Sequence, residues 1–112
     1  MQRLDITGLP PVPSAAAAAF YAEWLEPAAR MLASGEGLTL VFPPAGHEHS
    51  AWRLSAVQSL AREHAPARVN AVASDDEAGI AAALAYLAAA DGVTGQYLPL
   101  DSVGAGVNPQ VP

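Results

Sequence analysis

Two short stretches carry residue types that could do chemistry: His47-Glu48-His49-Ser50 and Ser74-Asp75-Asp76-Glu77. Two histidines around a glutamate suggest a metal site, yet a working one needs a third ligand in matching geometry. The chain has three histidines, no cysteine, and neither an HExxH nor a CxxC arrangement. His47 and His49 therefore read as solvated loop or helix-start residues. Ser50 beside the histidines and Glu48 has the residue types of a hydrolase. Sequence neighbours point in different directions, however, and no Gly-x-Ser-x-Gly elbow accompanies it. Ser74 and Glu77 have the Ser-x-x-Glu spacing of a capping box, and acids suit the positive end of a helix. His64, near a helix C-terminus, suits the negative end. No catalytic or metal residue is assigned to these stretches. A rebuilt cleft that binds a small molecule or serves an enzyme remains as the alternative: His47, His49, Ser50 and Ser74 follow two expected strands, at the end where open α/β sheets hold ligands.

The composition narrows the function classes. A chain of 112 residues supports one modest core, and alanine supplies much of its 52% hydrophobic content. Alanine contributes little buried area per residue, so such a core gains from a partner. Five arginines, no lysine and eleven acids give a net charge of −6. That charge repels a phosphate backbone, which argues against nucleic acid or an anionic membrane as partner. Without cysteine there is no disulfide or thiolate chemistry. Met1–Asp5 lacks a signal-peptide pattern, and no apolar run approaches the ~20 residues of a membrane span. The expectation is a soluble cytoplasmic protein.

The elements that would position these residues follow in order. Residues 1–13 form an extended arm rich in proline, with at most a short edge strand over Arg3–Gly8. Ser14 offers an N-cap to a helix reaching Ala33, in which Phe20, Trp24, Leu25, Ala28, Met31 and Leu32 share a face. Pro27 should kink or divide it, and Gly35 stops it. Gly35-Glu36-Gly37 precedes a strand and is a turn, not a dinucleotide fingerprint. Leu38–Phe42 is apolar throughout, as in a parallel strand covered on both faces. A helix over Ser50–Ala65 has an apolar arc of roughly 220°, interrupted by Arg53, wider than one sheet needs. A strand ends at Ala73, a helix buries Ile80, Leu84 and Leu87, and Tyr97–Leu100 makes a last strand. Residues 1–101 form the domain and 102–112 a flexible tail.

In this order of parts, the segment from Leu54-Ser55-Ala56-Val57 to Arg68-Val69-Asn70-Ala71-Val72 resembles a helix and strand of the short-chain dehydrogenase/reductase family. Val93-Thr94-Gly95-Gln96-Tyr97-Leu98-Pro99-Leu100-Asp101 resembles that family's "VTGQxLxVDGG" ending. The similarity extends back through Gly37–Phe42 and the Ser14–Ala33 helix, and it covers the C-terminal half of that fold. It implies a truncated Rossmann-like three-layer α/β fold, with three or four parallel strands and helices on both faces.

The departures from the family bear on function. Its phosphate-binding glycine loop belongs to the half not resembled here. Its catalytic serine falls on Pro43-Pro44, and its Tyr-x-x-x-Lys pair falls on Ser50 and Leu54. There the tyrosine exchanges the substrate proton while the lysine lowers its pKa and holds the nicotinamide ribose. This chain has no lysine at all. A substrate lid is missing too, since Ser74-Asp75 leads directly into a helix. The implied protein is non-catalytic and carries no cofactor. In the resembled family the helices corresponding to Ser14–Ala33 and Ser50–Ala65, and separately the last helix and strand, form subunit interfaces. This implies a homodimer or higher homo-oligomer, or hetero-assembly with a full-length short-chain dehydrogenase. Phe20, Trp24, Trp52, Leu60 and Tyr86 are the anchor candidates.

Overall fold

The computed structural model describes residues 1–100, so the tail expected over 102–112 lies outside the described residues. Four strands alternate with helices: β1 (Gln2–Asp5), α1 (Pro13–Glu23), α2 (Leu25–Leu32), β2 (Leu38–Phe42), α3 (Ser50–Glu63), β3 (Val69–Ala73), α4 (Glu77–Ala89) and β4 (Tyr97–Pro99). The strands pair in parallel in the order β1-β2-β3-β4, with Leu40 opposite both Leu4 and Ala71. Parallel neighbours need a crossover, and here helices supply every one of them. The result is the expected three-layer α/β arrangement.

Alternation along the strands divides the core in two. Leu38, Leu40 and Phe42 of β2, with Val69, Ala71 and Ala73 of β3, pack against Phe20, Ala28, Leu32, Val57 and Leu60 from α1, α2 and α3. Val41 and Val72 face the other way, onto Ile80 and Leu87 of α4. One face therefore carries three helices and the other a single one. β2 and β3 are buried at every position, Thr39 and Asn70 included, as in strands covered on both faces.

The first long helix divides at Trp24, three residues before Pro27. Pro27 occupies the first turn of α2, where its missing N–H breaks no helical bond. Ser14 is not a cap: α1 begins at Pro13, and Val12 precedes it without any side-chain hydrogen bond. α2 ends where Gly35 adopts φ 87°, a conformation that glycine takes without steric cost. Its N–H donates to the Leu32 carbonyl at 3.0 Å.

α4 starts two residues later than the Ser-x-x-Glu spacing suggests. Asp76 is its N-cap, accepting from the Gly79 N–H at 3.3 Å, while the Ser74 hydroxyl accepts from the Asp76 N–H at 2.9 Å. Glu77 turns away to an arginine of β1. Asp76→Ala is expected to lower stability by about 1 kcal/mol in urea denaturation, and Ser74→Ala by less. The far end of α4 is closed by Arg68 of the β3 approach. Its guanidinium donates to the carbonyls of Leu87, Ala88 and Ala90 at 2.8, 3.3 and 2.7 Å, meeting acceptors that a helix end leaves unpaired. Among the described residues no helix is long and apolar enough to cross a membrane.

Candidate functional site

At the C-terminal ends of β1, β2 and β3, on the α4 side, a recess of about 240 Å³ opens between Arg3, Asp5, Pro43, Ser74, Asp75 and Glu77. No helix covers β1 on this face, and charge covers it instead. Arg3 donates from Nε to Asp5 at 2.7 Å and from Nη1 to Glu77 at 2.6 Å; Nη2 reaches both acids at 3.2 and 3.1 Å. Charged side chains on an edge strand also discourage pairing with another chain. The Arg3 hydrogen bond holds the Glu77 carboxyl below the usual glutamate range, and both acids hold the guanidinium well above its ordinary value.

A depressed carboxyl pKa in the folded chain sets the sign of its pH dependence. The contribution is complete above the unfolded-state value and fades as pH falls through the folded one. A carboxyl-detected NMR titration is expected to show Glu77 titrating below an ordinary glutamate, and Arg3→Met is expected to return it to the usual range. The stability involved is small, because the pair is open to solvent.

Only Ser74 among the cleft candidates lines the recess, and it is buried as a turn acceptor. His47, His49 and Ser50 lie elsewhere, in and after a 3₁₀ turn over His47–His49. His47 is exposed, but His49 is buried, contrary to the solvated reading. Trp52 Nε1–H donates to His49 Nδ1 at 3.0 Å, so the ring proton is on Nε2, which donates to the Pro11 carbonyl at 3.0 Å. His49 thus pins the proline arm to α3. No group of three His, Cys, Asp or Glu suited to a metal ion occurs among the described residues.

The anchor candidates separate in the same way. Phe20 is 0% and Leu60 1% exposed, so both are core residues out of a partner's reach. Trp24 and Trp52 are half-buried against that core. The wide apolar arc of α3 is largely covered from within, because Trp52 meets the rings of Phe20 and Phe42 at 5.7 and 5.6 Å. Tyr86 is different, at 60% exposure on α4. Beside it Gly79, Ala82, Ala83, Leu98 and Leu100 line a shallow apolar groove.

Sequence reasoning missed Arg53. Treated as an interruption of the apolar arc, it is 3% exposed and stacked on Phe42, its Cζ 4.5 Å from the ring centroid. Its apolar neighbours along one helix face were the available signal.

A family model described as short chain dehydrogenase-like protein matches residues 4–100. The chain belongs to the short chain dehydrogenase-like family. No curated protein and no solved structure gave a significant match. In this short chain dehydrogenase-like chain, Pro44, Ser50 and Leu54, on which the sequence resemblance puts the family's serine, tyrosine and lysine, do not line the recess, and Leu54 is 37% exposed. The residues at the strand ends do not fit a nicotinamide dinucleotide. Pro13 opens α1 without an N–H to offer a pyrophosphate, and Asp75, Asp76 and Glu77 put negative charge at the start of α4. Arg3, the cation lining the recess, is already engaged by two carboxylates.

Proposed function

We propose that this chain is a non-catalytic short chain dehydrogenase-like module whose work is assembly, and that its α4–β4 face pairs with a second copy. The observation that carries this reading is α4 itself. Its sequence after Glu77, Ala-Gly-Ile-Ala-Ala-Ala-Leu-Ala-Tyr-Leu-Ala-Ala, has no charged residue on any side. Ile80 and Leu87 point inward, yet Ala78, Ala81, Ala82, Ala85, Tyr86, Ala88 and Ala89 are exposed. A helix that is apolar all round belongs in an interior, so its outer face calls for a cover. A second copy suits it because it brings the same small apolar side chains to meet these. Small side chains let two α4 helices approach closely about a two-fold axis, with the tyrosines as anchors.

The non-catalytic part of the reading rests on the recess, where Arg3 is held by two acids and no acid–base pair is free. Light scattering behind size exclusion is expected to give about twice the 11.4 kDa chain mass at micromolar concentration. A strictly monomeric chain overturns the pairing, and co-purification with a longer dehydrogenase instead assigns the face to a different partner. Saturable quenching of NADH or NADPH fluorescence by the purified chain overturns the non-catalytic reading.

A further inference from the structure

On the opposite face of the sheet, Arg53 is the only arginine among the described residues that the fold buries, at 3% exposure. Nη1 donates to the Pro43 carbonyl and the Tyr97 hydroxyl, each at 3.0 Å. The rings of Phe42, Trp52 and Tyr97 pack against the guanidinium, with Cζ 4.5, 5.8 and 5.9 Å from their centroids. Every one of these groups is neutral, and no described carboxylate forms an ion pair with Arg53. Nε is buried without an acceptor among the described residues. Nη2 makes no hydrogen bond there either.

Nε–H and one Nη2–H leave the guanidinium side by side. They form the edge with which arginine grips two oxygens of one anion. The aromatic box holds that edge in place, since the stacked Phe42 and the two Nη1 acceptors fix the plane of the group. A buried cation facing only neutral partners lacks the compensation that buried charges normally find. The missing element is an anion. A singly charged planar one fits best, because a phosphate dianion would be harder to desolvate among aromatic rings and more strongly repelled by the net charge of −6.

We propose that the Nε/Nη2 edge of Arg53 binds a small carboxylate, reached past the exposed loop from Pro43 to Glu48. This site is independent of the α4–β4 face, which belongs to the other side of the sheet. The test follows the Arg53 Nε–H resonance in uniformly ¹⁵N-labelled chain titrated with sodium acetate, against sodium chloride at matched ionic strength. The resonance is assigned by its loss in Arg53→Lys. The expected result is a downfield, saturable movement with acetate alone, together with slower exchange of that proton with water.

Arg53→Lys keeps the charge but not the paired donors. It is expected to lose the acetate response seen in Trp52 fluorescence, read in a Trp24→Phe background. An unmoved resonance, an equal response to chloride, or undiminished acetate binding by Arg53→Lys overturns the proposal. So does an Nε–H already protected before acetate is added and released by Asp101→Asn, because the carboxylate would then be the chain's own. Should Arg53→Lys fail to fold, the titration of the unaltered chain still decides, with the resonance assigned through bonds.

Discussion

Ala82→Glu is expected to convert the proposed α4–β4 pair into a monomer without unfolding the chain. Ala82 lies in the middle of α4 on the exposed side, beside Tyr86 and the groove over Leu98. In the isolated chain the new carboxylate faces water, and glutamate is a good helix former, so stability should change by no more than about 0.5 kcal/mol. In a pair related by a two-fold axis the same substitution enters twice, placing two like charges where small apolar groups met. An unpaired charge buried in this way costs about 3–5 kcal/mol, which corresponds to at least a hundredfold loss of affinity. Light scattering should then give the single-chain mass at concentrations where the unaltered protein gives twice that mass. Tyr86→Ala is expected to weaken pairing less, by removing the aromatic anchor while leaving the small-residue stripe intact. Ser55→Glu, on the exposed side of α3, provides the reference. If it dissociates the assembly as readily as Ala82→Glu does, the interface has been put on the wrong face.

The parts of this molecule that were legible in its sequence are those whose cause is local. β2 is a run of buried residues, and its apolar continuity announced a parallel strand covered on both sides. α4 announced itself by Ile80, Leu84 and Leu87 and by the acids before them. The hidden parts depend on partners distant in the chain. Arg3 meets Glu77 across 74 residues, which draws Glu77 away from the capping role that spacing alone assigned to it. Arg53 meets Tyr97 across 44 residues, and its burial makes sense only once Phe42 and Tyr97 have been brought against it. A charge within an apolar helix face is normally read as the edge of that face. Here the aromatic box overrides that reading. The break at Trp24 was displaced for another reason: the clash that proline creates is with the preceding turn, so the division falls ahead of Pro27. Phe20 and Leu60 failed as anchors because helical periodicity marks an apolar face without saying whether sheet or partner covers it.

Phe42→Ala is expected to be the most damaging single substitution in the sheet. Phe42 is 0% exposed at the end of β2, where α1, α3 and β4 converge. Its ring lies 5.8 Å from Phe20, 5.6 Å from Trp52 and 6.3 Å from Tyr97, the last two edge-to-face, and it carries the Arg53 guanidinium on its surface. Removing a buried phenylalanine costs about 3–5 kcal/mol through lost transfer energy and the cavity left behind. A domain of this size has only about 5–15 kcal/mol in total, and a close-packed core relaxes only partly into a void. The buried arginine adds to the damage, since it loses the stacking surface that makes its position tolerable. The urea midpoint should fall sharply or the transition disappear, with Trp52 emission shifted to the red in buffer. Phe42→Leu fills most of the volume and keeps an apolar contact, so its cost should stay below about 2 kcal/mol and the transition should remain cooperative. Equal losses for the two variants would mean that ring-to-ring and cation–ring geometry, more than volume, holds this end of the sheet together. A loss below about 1 kcal/mol for Phe42→Ala would contradict the burial that places Phe42 at the centre of the larger core.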